Sequence, residues 1–370
     1  MNSCVPSIVE SYTRTESLMP KNDHILSAED LILITGSNGF IGSRVVERLL
    51  EYGYSNLRCL VRPSSNLTEL NRIIGTFKNA KIDLVRGNLQ SQDDCNRITA
   101  GVSVIYHLAA GRGEKSYPDA YMNSVVTTRN LLDAAVQAKN LKRIVNISSF
   151  AVYSTEKIRR GGLLDESCEV ESQPHMTGEA YCYAKVRQDE LLMEYGRKFN
   201  IPYVILRPGV VYGPGNKGLT GRVGIGTFGI YLHLGGANRI PLSYVENCAD
   251  AIALAGLKQG IDGSILNIVD DDLPTSRTLL RMYKKNVGAF RSIYIPHVLS
   301  YFLCYMWEKY SQWSEGQLPP IFNRKRWSSY WKGNIYSNEK LKELLGWRQR
   351  VAFPEAAERY FAYQKSVGKN

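Results

Sequence analysis

Two hydrophobic patterns alternate along the chain from residue 31 to about residue 206. Short runs rich in β-branched residues are typical of buried strands, and the segments between them carry apolar residues at helical spacing. This alternation predicts βαβ units and a doubly wound, parallel α/β sheet. The predicted strands cover 31–35, 57–61, 82–86, 102–107, 143–147 and 203–206, and predicted helices cover 41–52, 121–138 and 179–199.

The regular rhythm ends at Pro208. Glycines crowd residues 213–236, and mixed short elements and an aromatic-rich tail follow. We therefore predict a nucleotide-binding domain over 29–207 and a smaller C-terminal substrate lobe over most of 208–370. Residues 1–28 contain charges and no apolar core, so they are interpreted as a polar leader and not as a secretory signal.

Composition is that of a globular protein, with 44% hydrophobic and 22% charged residues among 370. The net charge of +11 comes from scattered basic residues, and the short clusters at 157–160 and 324–326 are interpreted as solvated faces. Because no nucleic-acid motif accompanies this charge, we expect no nucleic-acid partner. The seven cysteines are scattered without a C-x-x-C pair, which favours reduced thiols, a cytoplasmic location and no metal site.

One apolar stretch, 292–307, is interrupted by Pro296 and His297 and stops at Glu308. It is too short to cross a bilayer, which takes about 20 apolar residues. We predict a helix packed on the substrate lobe. Its tyrosines and tryptophans favour membrane interfaces, so peripheral membrane contact through 292–313 is the alternative.

A glycine-rich turn directly follows the first predicted strand. Gly36, Gly39 and Gly42 lie between Thr35 and the first helix, in the order strand, turn, helix. The first glycine permits a tight turn, the second lets a pyrophosphate approach the backbone, and the third lets the helix pack closely. Free N–H groups at the helix N-terminus then bind phosphate oxygens. The turn predicts a Rossmann-type dinucleotide site.

The end of the second strand bears on cofactor choice. An acid commonly stands there to bind the ribose hydroxyls of NAD, whereas this chain has Arg62. A guanidinium pairs with a 2′-phosphate, so NADP(H) is favoured within an NAD(P) site. The alternative is an ordinary surface arginine.

Tyr181 and Lys185 have the i, i+4 spacing that places both on one face of a helix. A tyrosine of ordinary pKa, about 10, is a poor base at neutral pH, but an adjacent ammonium favours its phenolate. Tyr183 lies on another face and is the weaker candidate. Ser148 and Ser149 follow the fifth strand at the carboxyl end of the sheet, where Ser149 can bind the reacting oxygen and Ser148 can lie nearer the cofactor.

These motifs resemble the extended short-chain dehydrogenase/reductase family, also called the NAD-dependent epimerase/dehydratase family, over residues 31–365. The similarity includes T-G-S-N-G-F-I-G at 35–42, Y-H-L-A-A at 106–110, S-S-F-A-V-Y at 148–153, Y-C-Y-A-K at 181–185 and R-P-G-V-V-Y-G-P at 207–214. The resemblance implies that Ser149, Tyr181 and Lys185 are catalytic. It also implies that residues 240–270 return to the Rossmann domain, with a strand over 264–269.

The full predicted cofactor-binding set combines the motifs with what the resemblance implies. It consists of Gly36, Gly39, Phe40, Ile41, Gly42, Arg62, Asn88, Leu89, Leu108, Ala109, Ala110, Ser148, Tyr181, Lys185 and Pro208. Asn88 stands where the family usually has an aspartate toward adenine. A homodimer through helices at 118–138 and 179–199 is a further implication of the resemblance.

Departures from the family pattern narrow the range of possible reactions and substrates. Phe150 and Ala151 replace the Asp-Glu pair that dehydratases use, which disfavours dehydration. Val210 stands where nucleotide-sugar enzymes usually have an asparagine. Arg239 lies about one residue away from the position at which those enzymes usually have the arginine of an Arg-Asp pair. The sequence Tyr-Val-Glu-Asn at 244–247 and the aromatic tail, with Pro-Pro-Ile-Phe at 319–322, resemble the 3β-hydroxysteroid dehydrogenase branch.

The resulting hypothesis is reversible hydride transfer between nicotinamide and a secondary alcohol or ketone, with a sterol-like or other apolar substrate. The alternative is a nucleotide-sugar 4-epimerase that retains NAD. A third hypothesis is a nonenzymatic dinucleotide-binding protein. This hypothesis is disfavoured because Ser149, Tyr181 and Lys185 are all present.

Overall fold

The protein is described by a computed structural model over residues 23–111, 116–177, 179–314, 317 and 322–368. Most of the predicted leader and of the Pro-Pro-Ile-Phe segment lies outside these residues. The strands are β1 (Ile32–Thr35), β2 (Asn56–Val61), β3 (Lys81–Arg86), β4 (Val104–His107), β5 (Arg143–Ile147), β6 (Leu163–Leu164), β7 (Tyr203–Pro208), β8 (Val210–Tyr212), β9 (Gly224–Thr227), β10 (Ile230–His233), β11 (Leu242–Tyr244), β12 (Ile265–Ile268), β13 (Ser292–Tyr294) and β14 (Ile335–Tyr336).

Helices connect and cover these strands. They are α1 (Phe40–Glu51), α2 (Thr68–Thr76), α3 (Gln92–Thr99), α4 (Tyr117–Ala120), α5 (Thr127–Val136), α6 (Ala180–Phe199), α7 (Val245–Leu257), α8 (Ser276–Asn286), α9 (His297–Trp313), α10 (Arg324–Tyr330), α11 (Glu339–Leu345) and α12 (Phe353–Val367). Each of the six predicted strands agrees with the structure to within two residues at either end.

Seven strands in the described part of the chain form one parallel sheet in the order β12-β7-β5-β4-β1-β2-β3. The chain leaves β1 toward β2 on one side and returns to β4 on the other, so the strand order reverses between β1 and β4. Ligands of such sheets bind at the carboxyl ends of the strands around this reversal. The predicted Rossmann-type, doubly wound α/β fold is confirmed.

Helices cover both faces of this sheet. On one face α1, α2 and α7 bury their apolar residues, and on the other face α3, α5 and α6 do so. β1 and β4 are buried along their whole length because both faces are covered. Such burial explains why these strands are continuous apolar runs in the sequence.

The helix predicted over 121–138 has two parts. Residues Tyr121–Val126 form a π-helical segment, which continues α4 and leads into α5. Hydroxyls of Thr127 and Thr128 donate to carbonyls of the preceding turn, at 2.9 Å from Asn123 O and 2.7 Å from Ser124 O. Periodicity alone does not distinguish a wide turn from an α-helix, because π-bulges shift the register by only one residue.

The contacts of three segments show how they are shared between the Rossmann domain and the lobe. Residues 23–28, assigned to the leader, pack on the Rossmann domain: Leu26 is buried, and His24 Nδ1 lies 2.7 Å from the Tyr54 hydroxyl. Within 245–268, α7 packs against α1 and β12 pairs with β7, so this segment adds to the Rossmann domain. The remaining C-terminal residues build the lobe around a core of α8, α12 and the strands β8 and β11.

The apolar stretch 292–313 forms β13 and α9. The helix predicted over 292–307 begins only at His297, and residues 292–294 form a strand instead. The helix contacts the lobe, but only Ser300, Cys304 and Ser311 of α9 are buried. Among the described residues, no helix is both long and apolar enough to cross a membrane. The homodimer through α5 and α6 stays a prediction.

Candidate active site

The glycine turn after β1 is shaped by close backbone contacts. Gly36 has a φ of +69°, and a Cβ there would lie 2.9 Å from Ala109 N. A Cβ on Gly42 would lie only 2.1 Å from Gly36 O, so α1 approaches the turn as closely as a glycine permits. Both glycines are therefore required by the backbone path.

The N-terminus of α1 points out of this turn. Gly39 is the N-cap and supplies no side chain to cap the helix, while Phe40 and Ile41 begin its first turn. The Phe40 ring packs against Gly215, where an added Cβ would lie 3.0 Å from it. Uncapped N–H groups beside a glycine cradle fit the pyrophosphate of a dinucleotide.

Residues after β4 form the opposite wall of the turn. The Leu108 N–H donates to Thr35 O at 3.2 Å, and the Ala109 N–H donates to Thr35 Oγ1 at 3.2 Å. With Ala110, these residues are half-buried. Burial lowers the pKa of neighbouring His107 to about 3, so its ring is neutral and acts as a bridge between two threonine hydroxyls. The predicted wall therefore lies at the reversal of strand order.

The adenine end of the predicted site is more open. Arg62 follows β2 and is exposed, as expected of a side chain that meets a phosphate. Asn88 is exposed after β3, but its Oδ1 accepts the Gln90 N–H at 3.0 Å and so shapes the turn. Leu89 is buried, and its carbonyl accepts from Asn130 Nδ2 at 2.9 Å.

Tyr181 and Lys185 lie on adjacent turns of α6, as their spacing predicts. Tyr181 is 40% exposed, whereas Lys185 is buried with its Nζ 2.7 Å from Ile147 O at the end of β5. The Nζ also lies 6.0 Å from the centre of the Tyr181 ring. Tyr183 points elsewhere and packs on Arg187 and Tyr117. α6 therefore presents one tyrosine and one ammonium to the same region.

Ser148 and Ser149 separate into two roles after β5. Ser149 lines the pocket beside Tyr181, and its Oγ accepts the Ala151 N–H at 3.2 Å. Ser148 is buried and donates to Asp189 at 2.8 Å. The structure thus brings Ser149 together with Tyr181 and places Ser148 in the supporting layer.

That supporting layer contains a buried ion pair. Arg207 Nη2 lies 3.1 Å from Asp189 Oδ2, and both side chains are almost fully buried. Burial raises the pKa of the Asp189 carboxyl, and the Arg207 charge opposes this. Pro208 ends β7 immediately beyond this pair and is buried. The pair joins α6 to β7 beneath Ser149 and Tyr181, the side chains predicted to be catalytic.

A pocket of about 220 Å³ opens above Ser149 and Tyr181. One wall comes from the Rossmann domain and the other from the lobe. The lining residues are Ser149, Phe150, Ala151, Tyr153, Thr155, Glu156, Glu171, Thr177, Glu179, Tyr181, Cys182, Gly209, Val210, Thr220, Arg222, Lys325, Arg326, Ser329 and Tyr330. The pocket volume is below the range of about 300–1,000 Å³ that is usual for sites of drug-sized ligands. The volume suits a small molecule or one end of a larger one.

Two arginines of the lobe meet around one tyrosine in this pocket. The guanidinium carbons of Arg222 and Arg326 lie 5.1 and 5.3 Å from the centre of the Tyr330 ring. Arg326 Nε is 3.2 Å from Glu179 Oε1, just before α6. Burial raises the pKa of Glu179, and both arginines oppose this. Two cations thus share one carboxylate.

A second charged group lies alongside. Lys325 Nζ is 3.0 Å from Glu171 and 3.7 Å from Glu156. The interpretation of 324–326 as a solvated face is therefore wrong for Lys325 and Arg326, which are half-buried and line the pocket. α10 has one face toward the pocket, and a count of basic residues does not show this. The charged wall has no sequence signal beyond that short cluster.

The residues that depart from the family pattern divide between pocket and surroundings. Phe150 and Ala151 of the Rossmann domain and Val210 of β8 line the pocket and give it apolar surface. Arg239 lies outside the pocket and forms an isolated backbone bridge with Thr275. Among the described residues, no group of three His, Cys, Asp or Glu side chains is arranged to hold a metal ion.

The sheet order, the glycine turn and the Ser149, Tyr181 and Lys185 grouping define a Rossmann-type NAD(P)-dependent enzyme. A profile described as the NAD dependent epimerase/dehydratase family matches residues 32–268. The chain belongs to this family.

Its relatives catalyse different reactions. It is 27% identical over 252 residues to a trifunctional UDP-glucose 4,6-dehydratase/epimerase/reductase of Arabidopsis thaliana, with 64% of the chain and 36% of the relative covered. The chain thus spans about a third of that relative's length. It is 25% identical over 341 residues, 88% of each protein, to the sterol-4-alpha-carboxylate 3-dehydrogenase (decarboxylating) of Mus musculus. It is 29% identical over 199 residues to a dihydroflavonol 4-reductase/flavanone 4-reductase of Malus domestica, covering 51% and 56%.

Solved structures share the fold. A UDP-glucuronic acid 4-epimerase from Bacillus cereus, in complex with UDP-glucuronic acid and NAD, has a TM-score of 0.67 at 20% identity, covering 91% of this chain and 99% of that one. A UDP-glucose 4-epimerase from Thermotoga maritima with UDP-glucose has a TM-score of 0.66 at 21% identity, with the same coverage. At this identity the similarity shows the architecture alone.

Proposed function

We propose that the protein transfers a hydride reversibly between nicotinamide and the carbon of a secondary alcohol or ketone. The observation that carries the proposal is the meeting of Ser149 and Tyr181 in one pocket, with the Lys185 ammonium held behind the tyrosine. A bound dinucleotide supplies or accepts the hydride. The protein holds the substrate oxygen and moves its proton.

In the reducing direction, the Tyr181 hydroxyl donates its proton to the substrate oxygen, and in the oxidising direction the phenolate takes it back. The Ser149 hydroxyl donates a hydrogen bond to the same oxygen and orients it. Lys185 stabilises the phenolate by charge, and its hydrogen bond to Ile147 O anchors it to the end of β5. Burial of Lys185 strengthens this interaction because water screens it less.

For the cofactor we propose a preference for NADP(H). Arg62 is exposed at the carboxyl end of β2, the position from which a side chain reaches the adenosine ribose. A guanidinium there pairs with the 2′-phosphate of NADP(H), whereas NAD has only a hydroxyl at that position.

For the substrate we propose an amphipathic, sterol-like alcohol or ketone that carries an anionic group near the reacting carbon. Phe150, Ala151 and Val210 offer apolar contacts, and Arg222 and Arg326 of the lobe offer charge. The mouse relative's name describes such a molecule, a sterol with a carboxylate. The pocket volume accommodates only the reacting end.

The paired arginines also favour a second candidate, a nucleotide-sugar 4-epimerase. Guanidinium groups bind the oxygens of a diphosphate in the same way as those of a carboxylate. The same Tyr181 and Ser149 would then serve transient oxidation without net redox change. The two candidates differ in whether the dinucleotide leaves after each turnover.

The catalytic assignment is tested with Tyr181→Phe, using Tyr183→Phe on another face of α6 as the matched control. We expect Tyr181→Phe to lower kcat by between about 10² and 10⁴-fold, the usual contribution of a general acid or base. Dinucleotide affinity, measured by nicotinamide fluorescence, should stay unchanged in both variants. Normal turnover by Tyr181→Phe would contradict the proposal.

The candidates are separated by assaying purified protein without added cofactor. If it converts UDP-glucose to its epimer while retaining NAD, the dehydrogenase proposal is wrong. A stoichiometric change in NADPH absorbance with a sterol 4-carboxylate or another secondary alcohol supports it.

A further inference from the structure

Helix α9 buries small or polar side chains and exposes its large apolar ones, the reverse of an ordinary surface helix. Its buried residues are small or polar, namely Ser300, Cys304 and Ser311. The opposite side of the helix is apolar and exposed. We call this side the α9 face; it consists of Val298, Leu299, Phe302, Leu303, Met306, Tyr310 and Trp313.

The spacing of these residues makes the α9 face continuous. Positions 298, 302, 306, 310 and 313 follow each other at intervals of three or four, so they form one stripe along the helix. Val298 is 84% exposed at one end and Trp313 is 77% exposed at the other. Nearby Ile293 and Tyr294 of β13 are also exposed. Contiguous apolar patches of this kind are rare on soluble monomers and mark interaction surfaces.

Charge around the α9 face is complementary to an anionic surface. Glu308, the acid of this helix, is neutralised by Arg324, with Arg324 Nε and Nη2 at 3.0 and 2.9 Å from its oxygens. Lys309 is exposed beside the apolar stripe. Arg277 lies over the Tyr294 ring and Lys284 donates to Ser292, so basic residues also border β13. The chain as a whole carries +11.

We propose that α9 binds in the interface of an anionic lipid bilayer, parallel to the membrane plane, with the α9 face inserted. No described helix is suited to span a bilayer, and a 17-residue helix with one apolar side fits the interfacial position. Tyr310 and Trp313 have side chains that favour the headgroup region. In a symmetric dimer through the α9 face, each copy would bring the same basic border to the contact, and the like charges would repel each other.

This placement has a consequence for the active site. α10 packs on α9, with Trp327 Nε1 donating to Ser300 Oγ at 2.8 Å, and presents Arg326 and Tyr330 to the pocket. The pocket therefore lies one helix away from the lipid. Membrane binding itself does not depend on the proposed function, since no pocket residue belongs to the α9 face.

The test is sedimentation of the full chain with vesicles of phosphatidylcholine alone or mixed with phosphatidylglycerol. We expect binding to the mixed vesicles that weakens with added salt, because anionic lipid attracts the basic border. The variant Phe302→Ser/Met306→Ser should bind at least about tenfold more weakly, since each exposed side chain loses apolar contact with lipid. Phe199→Ser, a similarly exposed aromatic at the end of α6, is the matched control and should bind like wild type.

A second measurement keeps the result interpretable. Trp313 is the exposed tryptophan of α9, so brominated lipid should quench its fluorescence, and Trp313→Phe should remove most of that quenching. Dinucleotide binding by each variant shows that the Rossmann domain is folded. Absence of vesicle binding by wild type would overturn the proposal. So would a Phe302→Ser/Met306→Ser variant that binds vesicles normally but converts a dimer to a monomer in light scattering.

Discussion

The two walls of the pocket are built in opposite ways. The Rossmann wall places Ser149 and Tyr181 at the end of one strand and the start of one helix, over the buried Asp189–Arg207 pair. The lobe wall brings together Arg222 and residues of α10 that lie about a hundred positions later in the sequence. Chemistry on the first wall depends on the sheet, whereas recognition on the second depends on loops and a short helix. Substitutions should therefore affect stability and chemistry on one wall and substrate affinity on the other.

The largest effect on stability is expected at Asp189. Asp189→Ala leaves the Arg207 guanidinium buried without its carboxylate, which costs about 3–5 kcal/mol of unfolding free energy. Urea denaturation measures this loss. Glu190→Gln, which removes the exposed ion pair with Arg187 one residue further along α6, should cost at most about 1 kcal/mol. Equal costs for the two variants would show that the buried pair does not support the Rossmann wall.

A smaller loss is expected at the glycine turn. Gly42→Ala places a Cβ 2.1 Å from Gly36 O, and overpacking of this kind costs about 1–3 kcal/mol. Because α1 must shift, dinucleotide affinity should fall as well, as titrated by nicotinamide fluorescence. Gly75→Ala is the control, since no atom outside its helix lies within 4 Å of the added Cβ. That variant should keep wild-type affinity; a Gly42→Ala protein that also keeps it would show that α1 does not hold the cofactor.

On the lobe wall, Arg326→Gln should raise KM for an anionic substrate by about tenfold, since a hydrogen bond to a charged group contributes about 1.5 kcal/mol or more. Dinucleotide affinity should change little. Arg324→Gln is the matched control, because the neighbouring Arg324 pairs with Glu308 on the side of α9. Steady-state kinetics with a carboxylated and an uncharged substrate checks this. A change in kcat alone would show that Arg326 takes part in the chemical step. The predicted difference between the two walls would then be wrong.

The smallest effect is expected at Arg62. Arg62→Ser should lower the ratio of kcat/KM for NADPH to that for NADH by up to about fivefold, the contribution of an exposed ion pair. Lys81→Gln, an equally exposed cation at the amino end of β3, should leave the ratio unchanged. If Arg62→Ser does not alter the ratio, the NADP(H) preference is not due to this residue.

A second contrast concerns two apolar helices. α7 is buried along almost its whole length between the sheet and α1, whereas α9 buries three small or polar residues and exposes its large ones. Both helices are hydrophobic runs in the sequence. A helix was predicted for the stretch that contains α9 and not for α7, and which side of α9 faces the protein depends on α10 and Trp327.

The Rossmann half was accessible from the sequence because its signals are local. A buried strand followed by glycines and a helix has one common solution, and the i, i+4 spacing of Tyr181 and Lys185 determines a shared face once the helix exists. The strand boundaries, the fold and the grouping of Ser149 with Tyr181 followed from such patterns.

Only the tertiary structure decided the pocket's charged wall. The charged wall combines Arg222, Glu179 and Arg326, which are far apart in sequence. The residues next to a side chain in the sequence do not indicate which distant side chain it will contact. The same holds for Ser148, whose position beneath the pocket follows from Asp189, and for the outward-facing stripe of α9. Hydrophobic periodicity specifies which element forms and how far it extends. Which side of each element meets another is determined when the whole chain packs.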